Sequence, residues 1–111
     1  MLSLDSKLKL IRAVAKAVDD GYEICKAIFF SERSKICCPI GALTHENNPT
    51  VDNSIDRNRI VEAASILGCS SSDVWAIVNG FDGTPRIEGD AACYKFGAAL
   101  CEIFQPKPLY E

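Results

Sequence analysis

A chain of 111 residues, 48% apolar and 24% charged, holds material for one hydrophobic core and not two. Its make-up excludes collagenous and low-complexity classes. No apolar run approaches the roughly 18 residues that span a bilayer, and charge interrupts residues 1–21 too often for a secretory leader, so a cytoplasmic protein with no membrane partner is expected.

The net charge of −3 is unevenly spread. Residues 1–35 carry Lys7, Lys9, Arg12, Lys16, Lys26, Arg33 and Lys35, whereas acids outnumber bases from residue 36 onward. Six cysteines without an export signal are expected to be reduced and to serve as small buried apolar residues.

In chain order, residues 4–18 predict the clearest helix. Leu4, Leu8, Ile11, Ala15 and Val18 recur at steps of three and four and make an apolar stripe, widened by Leu10 and Val14. Gly21 ends it. Residues 22–32 predict a second, shorter helix carrying Ile24, Cys25, Ile28 and Phe29, and 31–35 a polar break. Pro39 suits the first turn of a third helix with Cys38 near its cap, and Gly41 and Ala42 leave room for a neighbouring backbone.

Residues 47–54 read as a loop by their Asn, Pro, Asp and Ser content. Asn53 or Ser54 then caps a helix that runs to about Leu67 and ends at Gly68. The serines 70–72 cap the next, with Asp73 at its positive end, and that helix is expected to stop at Asn79-Gly80. Residues 79–85 make a turn. Asp90 caps a last helix over about 90–104, with Cys93, Phe96, Leu100, Ile103 and Phe104 as its apolar face and Gly97, Ala98 and Ala99 as its thin side. Pro106 and Pro108 keep 106–111 as a short tail. The expected fold is an all-α single compact domain of five or six helices over 1–105, with no sheet.

Within it, residues 56–80 predict a helix-turn-helix-like pair. Ala64 is small where a second helix would cross the first. Gly68, four residues later, is free to adopt positive φ. Val74 and Ile77 pin the second helix inward, and Leu67 fills the same seam. Residues 64–80, ASILGCSSSDVWAIVNG, resemble the helix-turn-helix of phage-repressor-type and related bacterial regulators, A-x-x-L-G-[VI]-S-x-x-x-V-x-x-[IW]. In that family the second helix enters the major groove. The resemblance implies DNA as a partner and implies that Ser70, Ser71, Ser72, Trp75, Ala76 and Asn79 face it. Arg57 and Arg59, and the lysines of the first helix if brought alongside, are the candidate phosphate contacts. The second helix departs from the pattern of a base reader in carrying no Arg or Lys.

A second segment, Cys38-Pro39-Ile40-Gly41-Ala42-Leu43, with Asn79-Gly80-Phe81-Asp82 far downstream, is similar to small bacterial and phage proteins bearing a C-x-x-G-A-L segment and a later Asn/Asp turn. That likeness implies no activity.

Other chemistry finds less support. Cys25, Cys37, Cys38 and His45 lack the paired spacing of a zinc site. His45 reads as a solvated histidine at a helix end, and no base stands beside a nucleophile. No phosphate loop or cofactor motif occurs. A non-enzymatic DNA-binding protein is therefore expected. The alternative is a helical protein-interaction module, with a protein partner or a second copy against Trp75, since an outward tryptophan is a common interface anchor.

Overall fold

The computed structural model describes residues 2–47 and 56–106, apart from the side chains of Asp56 and Arg57. Elements follow the order α1 (Leu4–Asp19), β1 (Glu23–Ile24), β2 (Phe30–Ser31), β3 (Ile36–Cys37), α2 (Pro39–Asn47), α3 (Asp56–Leu67), α4 (Ser71–Asp82) and α5 (Ala91–Phe104). Five helices among the described residues carry most of the chain, but a small sheet makes the fold mostly helical rather than all-α. The loop expected over 47–54 lies, from residue 48, outside the described residues, with its caps Asn53 and Ser54. So does the tail from residue 107.

Helix α1 begins where Ser3 Oγ accepts the Ser6 amide hydrogen, an N-cap that satisfies an otherwise unpaired donor. Its buried side is Ser6, Leu10, Ala13, Val14 and Ala17, not the expected stripe: Leu4 is 71% and Val18 48% exposed. Two contacts explain the rotation. Ser6 Oγ donates to the Leu67 carbonyl at 2.7 Å, and α1 packs chiefly on α2, where the small Ala13 and Ala17 allow a close approach.

Residues 22–32 form strands and a turn instead of a helix. β3 lies between its neighbours, parallel to β1 with Glu23 opposite Ile36, and antiparallel to β2 with Phe30 opposite Cys37. Buried Tyr22 and Ile24 flank exposed Glu23, the period of a half-buried strand. Aromatic and β-branched residues favour that pleated state. Positive φ at Ala27 and Lys35, 69° and 57°, is incompatible with helix continuation, and the Ala27 amide donates to Asp82 Oδ1 at 3.2 Å.

Helix α2 starts at Pro39 as its sequence predicts, and it is buried from Pro39 through Thr44. A Cβ on Gly41 would run into the Phe29 carbonyl, so the close backbone approach expected there is present. Helices α3 and α4 meet at 104°, with Gly68 at φ 68° between them. Ala64, Leu67, Val74 and Ile77 are all buried in the seam.

The most extensive packing joins α4 to α5. A Cβ on Gly80 would meet the Tyr94 carbonyl, and one on Gly97 would meet the Ile77 carbonyl. Gly80 is thus a packing residue inside α4. The helix continues past the expected stop to Asp82 and ends at Gly83 in the left-handed region. On α5 the seam is Cys93, Gly97 and Leu100. Ile103, expected on the inner face, is 64% exposed, because the glycine turns its own face toward α4.

Gly97→Ala separates packing from propensity. Helix propensity alone would stabilise the protein by about 1 kcal/mol. Overpacking against Ile77 is expected to destabilise it by about 1–3 kcal/mol in urea denaturation.

Candidate interaction surface around Trp75

Helix α4 owes its start to Ser70, whose hydroxyl accepts from the Asp73 amide at 3.1 Å. Asp73 Oδ1 accepts the Asp90 amide hydrogen at 2.9 Å and ties the start of α4 to the start of α5. Between those helices the connection folds back over α4, with Gly89 against the Ser72 carbonyl and the Ala76 side chain. The Ser72 hydroxyl approaches Glu88 Oε2 at 3.5 Å.

This arrangement redistributes the residues expected to face DNA. Ser70 is a cap, Ser71 is exposed, and Ser72 lies under Glu88. Ala76, expected outward, is fully buried because the 83–90 connection and α5 close over it. Asn79 Oδ1 accepts from Thr84 Oγ1 at 3.2 Å and braces the turn. On α4 Ser71 is exposed and Ser72, Asp73, Trp75, Val78, Asn79 and Asp82 are half-buried, and none of them is Arg or Lys.

The phosphate contacts change more sharply. Arg59 is 0% exposed, which rules it out as a phosphate contact. Its Nη1 donates to Thr44 Oγ1 at 2.7 Å, and its guanidinium lies 5.3 Å from the Phe30 ring centre. It therefore ties α3 to α2 and the sheet. The side chain of Arg57 lies outside the described residues. On α1, Lys7 sits over the Phe96 ring and Lys16 pairs with Asp20 at 2.8 Å, so neither contact is with α4.

Trp75 stands between two hollows. One, of about 360 Å³, is lined by Ile60, Val61, Ser71 and Trp75. The other, of about 200 Å³, is lined by Ala27, Phe29, Cys38, Trp75, Val78 and Asp82. The indole meets Phe29 edge-on at 6.3 Å between ring centres, which holds it upright, and Val61 is 56% exposed beside it. Sequence reasoning found Trp75 but missed Val61 and Phe29. The adjacent Ile60-Val61 pair was the available signal for the first, since one helix face cannot bury both. Phe29 was hidden by the mistaken helix over 22–32.

Burial raises the carboxyl pKa of Asp82 above its ordinary value, and the Ala27 N–H and Lys26 oppose that rise. The Cys37 thiol is pushed up to about 12, mainly by burial. Burial likewise drives Cys38 upward, against backbone hydrogen bonds from Gly41 and Ile40. Both thiols stay protonated and unreactive at neutral pH. All six cysteines are free. Among the described residues no group of three or more His, Cys, Asp or Glu could hold a metal ion, and no single helix is long and apolar enough to cross a membrane.

Comparison of the chain with protein-family models, with characterised proteins and with solved structures finds no match.

Two outcomes follow from Arg59 and His45. Arg59→Met removes a charged hydrogen-bond donor from Thr44 and is expected to lower stability by about 2 kcal/mol in chemical denaturation. His45, whose pKa falls below 6.5 through burial and then through Arg59, binds a proton more readily in the unfolded chain. Its contribution to stability is therefore present above pH 6.5 and lost as pH falls through the depressed folded value. The melting temperature should decline on acidification through that window, and the decline should be smaller in His45→Phe.

Proposed function

We propose that the protein is a helical interaction module whose outer α3–α4 face takes an apolar side chain of a basic partner segment beside Trp75. The observation that carries this reading is a half-buried tryptophan between two hollows, the second of them also lined by Asp82. Aromatic anchors of this kind dominate interface energies, and carboxylates nearby favour a cationic flank over a phosphate backbone.

The nucleic-acid reading draws on the 104° crossing of α3 and α4, which suits a helix-turn-helix. It is weakened by the burial of Arg59 and Ala76 and by the absence of a cation on α4.

Trp75 is the sole tryptophan, so its fluorescence reports the surface directly. Titration with an amphipathic Leu/Lys peptide should give a saturable change in emission, and a Leu/Glu analogue should not. Val61→Ser should weaken binding roughly tenfold or more, as expected for loss of an anchor contact. Equal binding of both peptides, or salt-dependent binding of duplex DNA in their place, would overturn the reading. Self-association lost in Trp75→Ala would replace the basic segment with a second copy.

A further inference from the structure

On another side of the molecule α1 and α2 diverge over a cleft of about 240 Å³, lined by Ala13, Ala17, Tyr22, Phe30, Ala42 and His45, with Lys16, Asp20 and Glu46 at its edge. An apolar cavity of about 150 Å³ admits benzene, so this one has room for two fused rings. We propose that the cleft binds a small, flat, uncharged heteroaromatic molecule that offers a hydrogen-bond acceptor to His45.

Shape and surface give the first half of that assignment. Three alanines make a smooth floor that a planar ring can approach. Tyr22, Phe30 and His45 form a continuous aromatic wall: Tyr22 and Phe30 lie 5.1 Å apart, and His45 stacks on Phe30 at 4.0 Å with the planes 18° apart. A flat apolar ligand extends that wall at little entropic cost, because the stacked rings are already ordered.

Charge gives the second half. Lys16 is bonded to Asp20 at 2.8 Å, so these two edge charges neutralise each other. Lys35 sits 4.7 Å above the Tyr22 ring and Arg59 5.3 Å from the Phe30 ring, so cations already occupy ring faces of the wall. Burial and then Arg59 lower the His45 pKa, so the imidazole of the wall is neutral at neutral pH. Glu46, the edge charge left over, disfavours an anion.

The neutral imidazole has one donor and one acceptor nitrogen. Nδ1 is sealed from solvent with no hydrogen-bond partner among the described residues. Nε2 is the ring nitrogen left to meet a ligand, and we assign it the proton, because a sealed N–H without an acceptor costs more than a sealed lone pair. His45 therefore meets the cleft as a donor and selects an acceptor.

The test is a nuclear magnetic resonance titration of the labelled full chain at neutral pH with quinoline, and with N-methylquinolinium, which has the same outline but a charge and no acceptor. Quinoline should give saturable shifts at Ala13, Ala17, Ala42 and His45 with Kd on the order of 1 mM, as expected for a fragment of this size. The cation should bind about tenfold more weakly or not at all, the difference made by one hydrogen bond in an apolar site. His45→Phe, which keeps the stack and removes the donor, should erase the preference. Ala17→Leu, which fills the cleft, should abolish quinoline binding whether or not the first variant folds. Absence of saturable shifts at tens of millimolar quinoline, shifts located elsewhere, or a cation that binds as well as quinoline would overturn the proposal.

Discussion

The close approach of α4 and α5 is the constraint on which the rest of the molecule depends. Gly80 and Gly97 each present bare backbone to the other helix's carbonyl groups, and the two axes come nearer than side chains at those positions would permit. Val74, Ile77 and Phe81 then reach the common core from α4, and Cys93 and Leu100 from α5. With α4 held on that side, its orientation relative to α3 is set by the Gly68 turn and the buried seam of Ala64, Leu67, Val74 and Ile77, and the outward direction of Trp75 follows from both.

Acidic side chains do much of the remaining positioning. Asp73 holds the amide of Asp90 and so joins the beginnings of two helices. Asp82, at the far end of α4, holds the amide of Ala27 and fixes the sheet connection beside the same helix. The acidity that weakens α4 as a DNA reader is thus partly structural. These carboxylates satisfy backbone donors that would otherwise lie unpaired at element ends.

The helices were legible because their signals are local. Gly21, Gly68 and Asp90 mark ends that a sequence can announce, and the Ala64–Gly68–Val74–Ile77 spacing carried the α3–α4 geometry almost intact. What failed was decided by distant partners. Two-residue strands are too short to show a period, so β1 and β2 were mistaken for a helix until pairing with β3 is seen. Gly80 looked like a stop signal because its neighbour Tyr94 is invisible in sequence. Arg59 looked like a surface cation because nothing nearby announces Thr44 and Phe30 as its partners. His45 looked solvated for the same reason. The candidate surface was half legible: Trp75 stood out, whereas the hollows beside it arise only when Phe29 and Val61 are brought together.

The Ser6 hydroxyl bonded to the Leu67 carbonyl spans 61 positions, and it has a bearing on how the chain acquires its structure. The first helix can form early, but the groups that receive Ser6 and the apolar seam beside it belong to residues synthesised much later. Until those emerge, Leu10 and Val14 have no complete core to enter. Contacts of such long sequence separation are slow to close and leave apolar surface exposed meanwhile. The basic residues Lys7, Lys9 and Arg12, interspersed along that same helix, give the waiting segment the like-charge repulsion that discourages premature association.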